Sequence, residues 1–474
     1  MSADFGDDVS YLTLLPISFI FVFICLISIL KKKSKDVMAG NELFWDDHNL
    51  QRLRCSVKNY DWGKIGSDSE VYRLYSANSV SNKLDPNKPY AEFWMGTHES
   101  GSSYVVKKRN ILGNAKCGDS EGDTLKAWIA KNPNVLGNKV VEKWGYDLPF
   151  LFKVLSVAKT LSIQAHPCKE LAKELHKKDP RVYKDDNHKP EMALAITKFE
   201  ILCGFVGIED LQKILKGVPE ISQLVGAPVV DQVLNVTLED GEGVVKAALK
   251  QLFTHIMSAS ENVVAEVLSQ LISRLRKKED YQLTSEEKLV LRLEEQYPGD
   301  VGVLAAFLMN FVTLNPGEAL WLGANELHAY VSGDCIECMA TSDNVVRAGL
   351  TPKQRDVKTL CEMLTYKPGR PNILRGFNVE GTEGRTTRYR PPFEEFEVDH
   401  CDLPEGTSTK FPAMAGPSLF LVTEGTGTIS TTPFSMENIR VGDVLFAPAN
   451  TKLSIASTGK RLQLYRAGVN SKFL

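Results

Sequence analysis

The sequence predicts a mainly β protein carrying an α-helical insertion, and three observations lead there. Residues from about 50 to 204 hold short strand-like runs, such as Phe150-Leu151-Phe152-Lys153-Val154-Leu155 and Leu161-Ser162-Ile163-Gln164, broken by Gly, Asn and Pro. From about 207 to 312 the texture changes: Val264, Val267, Leu268, Leu271, Ile272 and Leu275 recur at helical spacing and line one face. From about 313 the β texture returns. Two β-rich blocks flanking a helical block fit two small barrels or sandwiches with a helical insertion.

Local signals support each element in turn. Asp85-Pro86-Asn87 and Lys367-Pro368-Gly369 read as turns. Thr284 with Glu287 forms a capping box ahead of Lys288-Leu289-Val290-Leu291, and Pro298-Gly299 ends that helix. Arg274-Leu275-Arg276-Lys277-Lys278 reads as a solvated helix end, where cations offset the negative end of the helix dipole. Near the carboxy terminus, Gly425-Thr426-Gly427-Thr428 and Val441 through Pro448 read as alternating strand and turn.

Composition narrows the function classes. A chain of 474 residues is about three domain lengths at roughly 150 residues each, enough for a large buried core. Apolar residues at 43% and charged residues at 24% exclude a disordered or fibrous chain. A net charge of -3 offers no basic surface for displacing counterions from a duplex, so nucleic acid is not an expected partner. The 9 cysteines are odd in number and scattered, which fits the reduced thiols of a cytosolic protein.

The amino-terminal tail, residues 1–37, stands apart. From Leu12 to Leu30 it carries no charge, close to the roughly 20 residues a helix needs to span a bilayer. Asp4, Asp7 and Asp8 precede the run, against a secretory signal, and Lys31, Lys32, Lys33 and Lys35 follow it. The positive-inside rule then leaves the body of the chain in the cytoplasm behind a single-pass tether at 12–30. The alternative is an alternative first exon with translation starting at Met38. Both place the body in the cytosol.

Gln164-Ala165-His166 closes an apolar strand, and i, i+2 spacing on a strand points both side chains to one face. Glu191 sits between Pro190 and a hydrophobic run, and His328 lies in the strand-like stretch Asn325 to Tyr330. One amide, two imidazoles and one carboxylate make a nitrogen and oxygen site suited to zinc. A single formal negative charge leaves Zn²⁺ net positive, as a Lewis acid on a hydroxyl or carbonyl requires. Spacing alone equally allows hydrogen-bonded strand histidines and a helix-capping Glu191.

Long strings of the sequence add a second line of argument: Val57-Lys58-Asn59-Tyr60-Asp61-Trp62-Gly63, Tyr90 through His98, Leu161 through Pro167, Asn187 through Ala193, and Asn325 through Lys353. In these, and across essentially the whole chain after residue 50, it resembles the type I mannose-6-phosphate isomerases, or phosphomannose isomerases, of the cupin superfamily. The resemblance implies two cupin-type (jelly-roll) β-barrel domains plus a helical domain. Residues 50–206 and 313–380 would form the catalytic cupin, 207–312 the helical insertion and 381–474 a carboxy-terminal cupin-like domain. It implies one Zn²⁺ per chain on Gln164, His166, Glu191 and His328, and a catalytic arginine at Arg347, whose permanently charged fork suits an enediolate or a phosphate. Taken alone, Arg347 also reads as a strand arginine paired with Asp343.

The implied reaction interconverts D-mannose 6-phosphate and D-fructose 6-phosphate through an enediol, feeding GDP-mannose synthesis and protein glycosylation. It moves one proton between C1 and C2. Glu337 and Asp343 are candidate bases, with Glu337 favoured because Cys335, Glu337 and Met339 alternate on one strand face. His188 and Lys189 are candidates for ring opening or phosphate contact, and Ser162 and Lys153 for substrate or phosphate contact. Cys335-Ile336-Glu337-Cys338 has CxxC spacing without a second pair, so a zinc-finger or redox role is not expected. Cys168 and Glu99 depart from the family's usual residues without touching a proposed ligand. The carboxy-terminal block lacks a matching ligand set, with Lys452 where cupins often place histidine, and reads as structural. A monomer is expected. Two rivals remain at this stage: an iron-dependent cupin oxygenase, disfavoured by the Gln ligand and the Glu191–His328 gap, and a membrane-tethered sugar-phosphate binder without catalysis.

Overall fold

The structure, a computed structural model, describes residues 50–79, 84–107, 120–432 and 435–474. The expected anchor at 12–30 lies outside them, and among the described residues no helix is long and apolar enough to cross a membrane.

Among the described residues the strands form one 10-stranded sheet, one 11-stranded sheet and a two-stranded ribbon. The expected mainly β architecture with helical segments is what the chain adopts. The 10-stranded sheet carries the sequence-predicted site. Its backbone order runs Met309–Leu314, Phe199–Phe205, His328–Ala340, Phe150–Val157, Glu92–Met95 and Ser56–Lys58, with Ile163–Ala165, Glu191–Ala195, Ala319–Leu322 and Val346–Gly349 attached to it. Phe150–Val157 is buried at every position, as a strand covered on both faces must be.

The helical insertion grows out of a strand pair. Phe199–Phe205 and Met309–Leu314 are antiparallel neighbours, Phe199 opposite Leu314 and Phe205 opposite Met309, so the helices between them begin and end side by side. Helix Glu261–Leu275 buries Val264, Val267, Leu268, Leu271, Ile272 and Leu275, the face read from the sequence. Thr284 and Glu287 form the expected reciprocal cap, and helix Ser285–Gln296 stops at Tyr297, just before Pro298. The cationic end at Arg274 is less solvated than its sequence suggests: Arg274 grips Glu220 with two hydrogen bonds (2.6 and 2.8 Å), and Lys278 donates to Glu287 (2.6 Å).

Strand alternation links this insertion to the site. Ile163, Ala165, Val346 and Ala348 belong to the same buried cluster as the insertion's Leu252, Phe253 and Leu268. Gln164 and Arg347, the residues between them, therefore face the opposite way. Truncating a leucine in this cluster to alanine costs about 2–5 kcal/mol, so the back of the site is held rigidly.

The 11-stranded sheet holds the carboxy-terminal strands and also takes strands from the start of the chain. Gln51–Arg54 pairs with Val444–Ala447 on one side and with Tyr104–Lys107 on the other. Division by sequence and division by sheet thus differ at the amino-terminal end. The stretch Gly425 to Thr428 is not a turn. It lies inside the strand Ser418–Thr432, where register shifts between Gly425 and Gly427 mark a bulge. A Cβ on Gly425 would lie 1.7 Å from the Arg461 carbonyl oxygen, so glycine serves close backbone approach here.

Candidate metal centre and active site

Three strands bring the first constellation together. Gln164 pairs with His328 on one side and with Arg347 on the other, and directly opposed residues in antiparallel strands project to the same face. His166 follows the strand Ile163–Ala165, and Glu191 opens the strand Glu191–Ala195. Asn325, in a left-handed conformation at φ 62, ties these segments: its N–H donates to the His166 carbonyl (2.7 Å), and its side-chain oxygen accepts from Cys168 N–H (3.1 Å).

The ligand atoms of His166, Glu191 and His328 all lie within 4.8 Å of one another, and all three residues are buried. His166 Nε2 is 3.4 Å from Glu191 Oε1, and His328 Nε2 is 3.3 Å from Glu191 Oε2. Each imidazole has its Nδ1 against a backbone carbonyl, Asn344 for His166 (2.7 Å) and Glu326 for His328 (3.1 Å). A carbonyl only accepts, so Nδ1 carries the proton and Nε2 presents a lone pair. Burial lowers the His166 pKa to about 4, which keeps the ring neutral at physiological pH. His166 Nε2, Glu191 Oε2 and His328 Nε2 are buried atoms without a hydrogen-bond partner. Three acceptors aimed at one point without a donor between them fit a cation. Nitrogen and oxygen donors of this kind suit zinc.

The chemistry-bearing side chains open onto a cavity of about 420 Å³. Gln164 and Glu191 line it, as do Ser162, Lys153, Lys189, Glu337, Asp343 and Arg347. The alternative pairing of Arg347 with Asp343 is not formed; Asp343 instead meets His98 Nε2 at 3.2 Å. That contact holds the Asp343 carboxyl below its ordinary value. Among the described residues Arg347 has no ionic or hydrogen-bonded partner, and burial is what lowers its pKa. His188 is not part of the cavity wall: its Nε2 contacts Glu395 Oε1 at 2.7 Å. Its neighbour Lys189 remains in the cavity with Nζ 3.4 Å from Glu191 Oε1.

Glu337 is buried opposite Lys153 in the strand register, with Lys153 Nζ 2.9 Å from its Oε2. Lys153 also reaches Glu92 Oε2 at 3.2 Å, and Trp94 Nε1 donates to that same oxygen (2.6 Å). Burial pushes the Glu337 carboxyl up; the Lys153 ammonium opposes this, and the Glu191 carboxylate adds to the rise. Burial likewise works against the Lys153 charge, but Glu337 and Glu92 outweigh it and hold that ammonium above its ordinary value.

A bulge lets both ends of the strand His328–Ala340 face the site. His328 and Tyr330 sit at even positions, Cys335, Glu337 and Met339 at odd ones, so strict alternation would send them to opposite faces. The alternation breaks where the register against Phe199–Phe205 slips by one residue between Tyr330 and Ser332, and Gly333, at φ 110, follows that bulge; a Cβ there would lie 2.4 Å from the Lys198 carbonyl oxygen.

Sequence reasoning had no role for Glu92, Trp62, Tyr330, Lys159 or Lys353, all of which line the cavity. Glu92 left a signal, a lone carboxylate in the apolar run Tyr90 to Met95. The CxxC cysteines Cys335 and Cys338 are buried free thiols, as are Cys55, Cys203 and Cys401. Among the described residues no second metal-ligating trio of this kind occurs.

Comparison with known proteins agrees along the chain. Residues 50–207 match the catalytic domain of phosphomannose isomerase type I, residues 224–309 its helical insertion domain and residues 389–432 its carboxy-terminal part. Mannose-6-phosphate isomerase 1 of Arabidopsis thaliana is 56% identical over 430 residues, 90% of this chain and 96% of that protein. Mannose-6-phosphate isomerase of Homo sapiens is 42% identical over 424 residues, 88% of this chain and 97% of that protein. A variant of phosphomannose isomerase from Salmonella typhimurium superposes with TM-score 0.74 at 28% identity, covering 89% of this chain and 99% of that one. A mannose 6-phosphate isomerase bound with zinc and yttrium gives TM-score 0.72 at 28% identity, over 89% and 99% of the two chains. On the strength of this agreement over nine-tenths of its length, the chain belongs to the type I phosphomannose isomerase family.

Proposed function

We propose that this chain interconverts D-mannose 6-phosphate and D-fructose 6-phosphate, with one zinc ion per chain. The observation that carries the proposal is the meeting of three orphaned acceptors, His166 Nε2, Glu191 Oε2 and His328 Nε2, of which Glu191 lines the cavity together with Gln164 and the unpartnered Arg347. Gln164, His166, Glu191 and His328 would hold the ion, which when bound polarises substrate oxygens as a Lewis acid.

The chain's own groups then supply the proton chemistry. Glu337 carries the proton between C1 and C2, its raised pKa bringing the carboxyl toward the range where a base both takes and returns a proton. Lys153 holds that carboxylate in place and balances its charge. Arg347 stabilises the negative charge that develops on the enediol oxygens. Lys189 and the Asp343–His98 pair are the cavity groups for opening the sugar ring. His188, outside the cavity, takes no part in this scheme. Residues 313–380 complete the catalytic domain begun by 50–206. The catalytic body works in the cytosol and supplies mannose 6-phosphate for GDP-mannose synthesis and glycosylation.

The test is fructose 6-phosphate formation from mannose 6-phosphate by the full chain, with and without chelator, beside His328→Ala. Turnover that chelator removes, zinc restores and the variant lacks is the expected result. Zinc-loaded, folded protein that turns nothing over would overturn the isomerase assignment.

A further inference from the structure

The link between helices Ser285–Gln296 and Val301–Ala305 touches both rims of the cavity. At one rim, Gln296 Oε1 accepts from Thr160 N–H (3.0 Å) and the Tyr297 hydroxyl donates to the Thr160 carbonyl (2.6 Å). At the other rim, Asp300 Oδ1 accepts from Leu350 N–H (2.7 Å) and Oδ2 from Thr351 N–H (3.1 Å). Asp300 Oδ1 also accepts from Gly302 N–H (2.7 Å) and so caps the short helix Val301–Ala305.

The second rim is the segment that carries Arg347. The strand Val346–Gly349 runs straight into Leu350, which takes the left-handed φ of 54, unfavourable for a branched side chain. Something must hold it there, and the two bonds to Asp300 do so at that residue and the next. Packing admits no slack: a Cβ on Gly349 would lie 2.5 Å from Gly302 Cα, and one on Gly302 would lie 2.6 Å from Leu350 N. Arg347, Leu350, Thr351 and Lys353 all line the cavity. Arg347 has no side-chain partner of its own among the described residues, so its position is set through its backbone.

We propose that Asp300 is a positioning residue: its carboxylate, supplied by the helical insertion, fixes the Leu350–Thr351 backbone and thereby aims Arg347 at the reacting oxygens. The inference rests on the reading of Arg347 as the charge-stabilising group. It gives the insertion a part in the chemistry beyond its packing behind the site.

Three variants separate clamp from cap. Serine is a good helix cap but offers one oxygen where the carboxylate offers two, so Asp300→Ser keeps the cap and cannot hold Leu350 and Thr351 together. Asp300→Asn keeps one carbonyl oxygen and sets its amide hydrogens against Thr351 N–H. Arg347→Ala tests the underlying reading. Measured together are kcat and KM for mannose 6-phosphate, bound zinc and Tm.

Asp300→Ser is expected to lower kcat about 10- to 100-fold, the loss that follows from a displaced catalytic group, with bound zinc and Tm near those of the unmodified chain. Asp300→Asn should fall between, with kcat about three- to tenfold down. Full kcat in Asp300→Ser would overturn the proposal, because a merely capping role is preserved there. Should Asp300→Ser not fold, Asp300→Asn decides, and an unchanged kcat in it overturns the clamp. Full turnover in Arg347→Ala would instead sink the reading on which the inference rests.

Discussion

Asn344 turns its backbone carbonyl onto Nδ1 of His166 at 2.7 Å, and this single contact decides which nitrogen of the ring faces Glu191. The carbonyl is itself held, since Asn344 Nδ2 donates to the Asp185 carbonyl (2.6 Å) and to the Asn187 carbonyl (3.0 Å). Outer contacts of this kind orient a metal-ligating imidazole, and losing one typically weakens metal affinity about 10- to 100-fold. Asn344→Ala is therefore expected to weaken zinc binding within that range. Competition with a fluorescent zinc chelator measures it, and an unchanged affinity would show that the carbonyl needs no anchoring.

Gly333 lies between the bulge after Tyr330 and the residue Glu337, at a backbone conformation that favours glycine. Gly333→Ala forces a Cβ to within 2.4 Å of the Lys198 carbonyl at a φ of 110. A conformation this sparsely populated costs on the order of 1–3 kcal/mol for a residue with a side chain, and relief would come by shifting Glu337 relative to His328. Chemical denaturation should show the destabilisation, and kcat should fall more than zinc content does.

Lys153 and Glu337 form a buried pair, so removing one partner is worse than removing both. Lys153→Met leaves Glu337 and Glu92 buried without a cation, a situation that typically costs about 3–5 kcal/mol. Adding Glu337→Gln should recover stability without recovering turnover. Urea titration of the two single variants and the double one measures the coupling. Additive losses would argue against the pair as a unit.

A second buried network gives a pH prediction away from the site. Arg388 holds Asp399 with two hydrogen bonds (2.6 and 2.9 Å), and Arg466 Nη1 adds a third (2.9 Å). Burial opposes the Asp399 charge, yet Arg466 and Arg388 hold its carboxyl below the ordinary 3.8. A group depressed on folding stabilises the folded state above its unfolded pKa and loses that contribution as pH falls through the folded one. Stability should therefore be held above about pH 4 by this group and decline below it. Asp399→Asn should lower stability at pH 7 by about 3–5 kcal/mol, because Arg466 stays buried with less compensation. That difference from the unmodified chain should shrink as the pH is taken below 4 in a denaturation series.

Much of the architecture was legible in local sequence because its causes are local. The stripe from Val264 to Leu275 is a helix face whatever it packs on, and the Thr284–Glu287 cap needs only the residues between them. The strand glycines Gly425 and Gly427 misled for the opposite reason: their role is close approach to the neighbouring strand, which local pattern does not contain. His188 likewise looks catalytic beside Lys189 and Glu191, and only the fold shows it turned to Glu395.

By itself the sequence determined the supply of chemistry: an amide, two imidazoles and a carboxylate for a cation, and a guanidinium for developing charge. Family resemblance in strings such as Leu161 to Pro167 and Asn187 to Ala193 pointed to the reaction proposed for them. Only the tertiary structure decided which of them meet. Register sets Gln164 between His328 and Arg347, a bulge between Tyr330 and Ser332 turns two halves of one strand onto one face, and Asp300 reaches from the insertion to Leu350. These are relations between residues far apart in the chain, set by hydrogen-bond geometry and packing, and no local pattern encodes them.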